Sequence, residues 1–417
     1  MLAGLTQKHG AMLRSYVSTL GGSAGRLVIS LLYFVSLANS LSLSDFGLFA
    51  SASAAGIVLS RIISLGFVSP LYRAATVKPR LLGTYYAGYL AAALLSLPLA
   101  ALAGWAVFHL FFAGLVTASV FAAVIFTEAL LWRSLETIVI VNNGLNRFGR
   151  AAMLVVIGTA LRAGFAFAFA LSADHSLGVW VLFYLAANAL SLAAALIFYL
   201  PRRRLRYRPR LYARRAMDAL WTSGAEILFY IQMELDKVAV LAIGGAELAG
   251  MYAIVMRLAD LTALPVRAFN MLLVQKMMRT AHMLHSLKTR AGIELLIFAV
   301  SAAGLAALAA LLWLYPNALG RNVSLVAGVL GLAICVPGFR NLVEYHAELL
   351  YARSQTGLRM LNLGLLAAMK MVLLAFVLSG APETRAWLLQ LNLVFALLWA
   401  CSALLTYSAI RIAPDRV

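Results

Sequence analysis

The sequence predicts an all-α integral membrane protein, with twelve transmembrane helices forming two parallel-repeat six-helix bundles around a central cavity. Composition, the spacing of apolar runs and an internal repeat point to it. Of 417 residues, 63% are hydrophobic and only 12% charged, where a soluble domain is roughly half apolar and about a quarter charged. Too few polar residues remain to cover a water-facing surface, which excludes soluble, disordered and collagen-like classes. Cys335 and Cys401 both lie in apolar runs, so the sequence suggests neither a disulfide framework nor a cysteine metal site.

A hydrocarbon core of about 30 Å needs some 20 apolar residues per crossing. Twelve stretches qualify: 17–37, 46–68, 84–104, 116–140, 151–171, 177–199, 217–242, 248–271, 291–314, 322–346, 360–380 and 386–410. The first is too long for a signal-peptide apolar region and lacks a clear cleavage site, so it is expected to be a permanent helix.

An even number of spans puts both termini on one side. Loops on that side carry 23 lysines and arginines, while the opposite loops carry Arg321 and Arg385 alone. The asymmetry predicts a multi-pass protein of the bacterial inner (cytoplasmic) membrane with both termini cytoplasmic. It also accounts for the net charge of +19 without a nucleic-acid partner.

The most polar segment, 201–215, carries eight arginines near the midpoint of the chain. It reads as a cytoplasmic linker lying against anionic lipid headgroups, between an N-terminal bundle, 1–200, and a C-terminal bundle, 216–417. The internal repeat agrees. Asp45-Phe-Gly47-Leu-Phe49-Ala50, opening span two, recurs as Glu247-Leu-Ala-Gly250-Met-Tyr252-Ala253, opening span eight, 203 residues on from glycine to glycine. Trp132-Arg133-Ser-Leu-Glu136 in span four recurs loosely as Phe339-Arg340-Asn-Leu-Val-Glu344 in span ten, 207 residues on. Halves with an even number of spans share one orientation, and such parallel repeats flank the pathway in transporters.

Charges inside the spans carry the functional reading. A charge near the bilayer centre costs about 2.5 to 3.5 kcal/mol on insertion scales and normally faces a bundle interior or a water-filled cavity. Arg26, Arg61, Arg162 and Lys370 have no acid three or four residues away, and Arg257 has Asp260 at three. Arg133 with Glu136, Arg340 with Glu344 and Lys237 with Glu234 have the spacing of in-helix pairs. The acids Glu128, Glu226, Glu234 and Asp236 are available to neighbouring helices.

Between Tyr16 and Pro70 the only acid is Asp45, at the outer loop, so Arg26 and Arg61 are candidates for an anionic substrate. Guanidinium holds phosphate bidentately and stays protonated. The small residues Gly21-Gly22-Ser23-Ala24-Gly25 precede Arg26 and would admit close approach of a backbone or ligand. Pro98, Pro265 and Pro337 are expected to permit bends inside their spans.

Enzyme signatures are weak. His282 and His285 are spaced i,i+3 in a basic loop without a third ligand, no metal site is expected, and no Gly-rich phosphate loop follows a strand. Every outer loop is short, which counts against a membrane polymerase or glycosyltransferase.

Three stretches together resemble polysaccharide-export flippases of the Wzx type, which handle O-antigen and exopolysaccharide precursors. They are Leu41-Ser-Leu-Ser-Asp45-Phe-Gly-Leu-Phe-Ala50, the run from Ser64-Leu-Gly66 to Pro70, and Glu234-Leu-Asp236-Lys-Val-Ala-Val-Leu with Gly250-Met-Tyr252-Ala-Ile-Val-Met-Arg257-Leu. The likeness runs from about residue 15 to 410. It implies the multidrug/oligosaccharidyl-lipid/polysaccharide (MOP) exporter superfamily and a MATE-like fold of two six-helix bundles.

The implied activity is non-enzymatic. An undecaprenyl-diphosphate-linked oligosaccharide would be moved to the periplasmic leaflet by alternating access, without a cofactor, beside a polysaccharide polymerase and chain-length machinery. Similarity to the lipid II flippases implies cavity arginines on spans one, two and eight, where Arg26, Arg61 and Arg257 stand. Arg162 and Lys370 are secondary candidates, and Glu128, Glu226 and Asp236 are candidates for coupling to H+ or Na+.

The two extra C-terminal helices of lipid II flippases are missing, which argues against lipid II as substrate. Span one also lacks the acid common in ion-coupled drug extruders. The alternatives are a cation-coupled multidrug extruder of the same superfamily and a membrane-embedded polymerase or glycosyltransferase.

Overall fold

Residues in the short turns start helices where the apolar runs begin. Ser42 accepts a hydrogen bond from the Asp45 amide at 3.0 Å and donates its hydroxyl to the Asp45 carboxylate at 2.8 Å, so both residues cap the next helix. Ser176 caps another, and Pro209 opens a third at a first-turn position where no amide proton is needed.

The computed structural model describes residues 25, 27–262, 266, 269–270, 273, 287–353, 355–380 and 384–412. In chain order its main helices are α1 (Leu27–Ser40), α2 (Leu43–Ser60), α3 (Val68–Val77), α4 (Leu82–Val107) and α5 (Ala118–Phe126). Next come α6 (Arg133–Gly144), α7 (Phe148–Ala170), α8 (Leu177–Ala194), α9 (Pro209–Glu234) and α10 (Asp236–Thr262). The remainder are α11 (Leu287–Leu314), α12 (Arg321–Ala327), α13 (Val336–Ala352), α14 (Thr356–Gly380) and α15 (Thr384–Ile412). No strand occurs among the described residues.

Eight helical stretches are long and apolar enough to cross a membrane, and a bent pair, Arg321–Ala327 with Leu330–Ala352, makes a ninth. The difference from twelve has physical causes. One of the eight, Pro209–Thr262, runs for 54 residues, about 80 Å if straight and far more than one crossing. Gly245, at φ 79°, breaks it between the predicted seventh and eighth spans. The predicted fourth span is divided by a π-helical turn, Thr127–Trp132, between α5 and α6. Only 14 residues of the first, Leu27–Ser40, form a described continuous helix. Outward faces are apolar along these helices, with Leu94, Leu95, Leu102, Trp313, Phe376 and Leu404 exposed as they would be toward lipid. This is a multi-pass membrane protein.

The bends correct one expectation. The 66° bend of the predicted tenth span falls between Ala327 and Leu330, and Pro337 sits beyond it in the first turn of α13. Pro98 lies inside α4 as expected, and Pro265 lies outside the described residues. The sharpest departure from helical geometry is instead in the predicted second span. After α2, Ser64 (φ 67°), Leu65 (φ 47°) and Gly66 (φ 74°) take left-handed conformations in succession. For serine and leucine such geometry costs on the order of 1 to 3 kcal/mol each, and it persists only when its surroundings hold it.

Neighbouring side chains satisfy the freed backbone here. The Ser64 amide donates to Ser96 Oγ at 3.0 Å, and the Ser223 hydroxyl donates to the Arg61 carbonyl at 3.1 Å. Gly66 also admits α9, since a Cβ there would lie 2.0 Å from the Ala219 carbonyl oxygen.

Contacts group the chain into two compact units. One is Tyr33–Ala253; the other is Ile254 onward with the described residues before Tyr33. Within the first, the two members of the internal repeat meet. A Cβ on Gly47 would lie 2.1 Å from the Ala246 carbonyl oxygen, and one on Gly250 would lie 2.1 Å from that of Leu43. The start of α2 and the middle of α10, just past the Gly245 break, thus approach each other closely from both sides.

Candidate functional site

Buried charge in the Tyr33–Ala253 unit collects where the broken second span meets α6 and α9. Arg61, 4% exposed at the end of α2, donates from Nη1 to Glu136 Oε2 at 2.8 Å. Arg133, 1% exposed, donates to the same Glu136 oxygen at 2.8 Å and from Nη2 to Glu226 Oε2 at 3.0 Å. The Arg61 guanidinium also lies 3.9 Å from the centroid of the Tyr230 ring, where the ring face attracts the cation. Two arginines thus meet two carboxylates in a charge-balanced cluster, with the cations more deeply buried than the acids.

The expected Arg133 to Glu136 pair is present. Arg61, which has no acid on its own helix, obtains one from 75 residues away. It is therefore ion-paired in this conformation, and an anionic ligand would have to displace or share Glu136 to reach it. The acid that answers both arginines could be read from sequence only as a partner of Arg133, because spacing shows in-helix neighbours and not cross-helix ones.

A second polar group surrounds Glu128, on the π-helical turn. Ser53 and Tyr184 donate to its Oε1 at 2.5 and 2.7 Å. Gly56 makes the space, since a Cβ there would lie 2.7 Å from that of Glu128. Arg162 of α7 donates from Nε to the Gly158 carbonyl at 3.2 Å and stacks on Trp132, 4.1 Å from the ring centroid. Asp236, at the start of α10, accepts from the Tyr252 hydroxyl at 2.8 Å and from the Lys237 amide at 2.9 Å. Lys237 pairs with Glu234 as its spacing predicts. Of the three coupling candidates, Glu128 and Asp236 are buried, while Glu226 is about a third exposed and bound to Arg133.

In the other unit, Arg257 does not take up Asp260. Its Nη2 donates to Ser30 Oγ of α1 at 2.6 Å, while Asp260 lies 3.2 Å from Nη1 of Arg340, itself 5% exposed. Arg257 is half-buried and makes no ion pair among the described residues. Lys370 is 2% exposed, with Nζ 5.5 Å from the centroid of Phe395. Arg26 lies outside the described residues.

No protein-family model matches the chain, and no curated protein matches it. Solved structures do. An inward-facing multidrug resistance MATE family transporter of the MOP superfamily has TM-score 0.59 at 13% identity, over 94% of this chain and 96% of that one. A MOP superfamily transporter from Pyrococcus furiosus, described as having a binding pocket of reverse polarity that suggests a different function, has TM-score 0.60 at 14% identity over 96% and 95%. The MATE multidrug transporter DinF-BH, solved as a complex, has TM-score 0.59 at 13% identity over 96% of both chains. Identities this low speak to backbone alone, and over nearly its whole length the chain has the fold of MATE transporters of the MOP superfamily.

Proposed function

We propose that the protein is a non-enzymatic flippase. It moves an undecaprenyl-diphosphate-linked oligosaccharide from the cytoplasmic to the periplasmic leaflet of the bacterial inner membrane for surface polysaccharide synthesis. Arg26, Arg61 and Arg257 hold the diphosphate, Arg162 and Lys370 are secondary ligands, and the two six-helix halves on either side of 201–215 alternate in access.

The observation that carries this reading is Arg257. It is a half-buried guanidinium at membrane depth that takes a serine as its partner although an acid stands one turn away. A cation kept beside a neutral group retains donors for phosphate oxygens. The fold supports a transporter by analogy, and the drug-extruder neighbours favour the second reading, a cation-coupled multidrug extruder. Drug extrusion is less well matched to Arg257, because a cationic drug would meet a guanidinium that has no ion pair among the described residues.

Cells lacking the protein are expected to accumulate lipid-linked repeat units on the cytoplasmic leaflet and to lose surface polymer. Accumulation on the periplasmic leaflet would support a polymerase or transferase instead. Normal surface polysaccharide together with new drug sensitivity would support the extruder.

A further inference from the structure

Four helices of the C-terminal unit bring a histidine and a carboxylate into a polar cluster that the transport reading does not use. His346 of α13 is fully buried. Its Nε2 lies 3.1 Å from Glu294 Oε1 of α11, and its Nδ1 lies 3.2 Å from Ser402 Oγ of α15. Glu294 also accepts from Trp399 Nε1 at 3.2 Å and from the Tyr407 hydroxyl. With donors on every side, Glu294 acts as acceptor only, so the Nε2 position carries a proton and Nδ1 is where the imidazole can gain another.

The residue behind Ser402 marks the site. Asn362 of α14 donates from Nδ2 to Ser402 Oγ at 3.3 Å and to Thr406 Oγ1 at 3.4 Å. Its Oδ1 is buried without a hydrogen-bond partner. A buried amide oxygen left unpaired costs on the order of 1 to 3 kcal/mol.

The same side chains can serve two proton states. With neutral His346, the Ser402 hydroxyl donates to Nδ1, Asn362 donates to Ser402, and Oδ1 stays unpaired. When H+ adds at Nδ1, that N–H donates to Ser402 Oγ and the hydroxyl must turn to another acceptor. Half a turn of the Asn362 amide then offers Oδ1 to it, and in that turn Nδ2 gives up its bonds to Ser402 and Thr406. The charged form lies beside a carboxylate, and the hydrogen bonds joining α13, α14 and α15 reverse direction on its arrival.

Neighbouring charges leave room for that proton. On α11, Arg290 lies with its guanidinium carbon 5.1 Å from the Tyr407 ring centroid. On α13, Arg340 faces Asp260, Tyr345 adjoins His346 in the chain, and Glu344 and Glu348 stand within one turn. Glu348 is held by Arg359 of α14 at 3.0 Å. Of the described residues before α11, Val266, Phe269 and Leu273 join the apolar cluster that holds Tyr345, Trp399 and Tyr407, and Asn270 is a buried neutral amide.

We propose that His346, with Glu294, Ser402 and Asn362, is a proton-binding site of the C-terminal unit. The site stands whatever the protein transports, so its failure and that of the flippase reading are separable.

The test uses the full-length protein in lipid nanodiscs with 15N-labelled histidine, followed by NMR through pH. Six histidines are present, and His346→Gln assigns the relevant signal. That signal is expected to pass from neutral imidazole to imidazolium as the pH is lowered. Asn362→Leu, which removes the second acceptor, should weaken proton binding about tenfold, a shift of about one pH unit. Should His346→Gln fail to fold, the response to Asn362→Leu makes the assignment. A His346 signal fixed in one protonation state at every pH at which the protein stays folded, or a midpoint unmoved by Asn362→Leu, would overturn the proposal.

Discussion

Arg133→Ala is expected to lower stability by about 3 kcal/mol and to leave little folded protein in the membrane. Arg133 is 1% exposed and bridges Glu136 to Glu226, so its loss strips Glu226 of its partner and leaves Arg61 alone to balance Glu136. An uncompensated charge in a low-dielectric interior is what makes a broken buried pair costly, more than the loss of attraction itself. The remedy follows from the same reasoning. Glu226→Gln in the Arg133→Ala background should recover part of the loss, because it removes the charge left without a partner. Thermal unfolding in detergent, followed by size-exclusion of the intact protein, measures both variants. Additive effects of the two substitutions would contradict the network.

Gly250→Val is expected to drive apart the start of α2 and the α10 segment after Gly245 rather than be absorbed. The nearest obstacle is backbone, with the Leu43 carbonyl oxygen 2.1 Å from the new Cβ position, so no rotamer change relieves it. Under the proposed topology these segments would lie at the periplasmic face. Alternating access requires such ends to part in one half of the cycle. A clash far exceeding the about 1.4 kcal/mol that a tenfold shift requires should leave the parted state dominant.

A cysteine at Leu43, 8% exposed in the closed contact, reports the change in a background without Cys335 and Cys401. Its reaction with an impermeant thiol reagent added from outside should quicken about tenfold or more when Gly250→Val is added. Unchanged reactivity in a well-folded double variant would mean that the contact does not open.

The fold was legible because bilayer thickness imposes a length on every apolar run, and length is visible in one dimension. The break between the seventh and eighth predicted spans falls at Gly245, inside the expected gap. The repeat was visible too, and its two glycines prove to be in contact. Illegible features are those made by cross-chain partners. Nothing in Ile62-Ile63-Ser64-Leu65 signals a left-handed turn, because the serines that stabilise it, Ser96 and Ser223, lie 32 and 162 residues from their partners.

The same limit applied to the charges. Arg61 has no acid on its own helix, yet it finds one on α6. Arg257 had a local acid, yet it turns to Ser30. The His346 and Glu294 cluster left a trace that spacing rules do not weigh: an acid and an imidazole, each within an apolar run, 52 residues apart.

Reconstitution tests the central claim most directly. Purified protein in liposomes containing undecaprenyl-diphosphate-linked oligosaccharide should expose inner-leaflet glycan to a glycan-cleaving enzyme added outside, so that cleavage runs to completion. Arg257→Ala, which removes a guanidinium that has no ion pair among the described residues, should remain folded and leave the inner-leaflet pool protected. An inner-leaflet pool that stays protected in the presence of folded wild-type protein would contradict the flippase account.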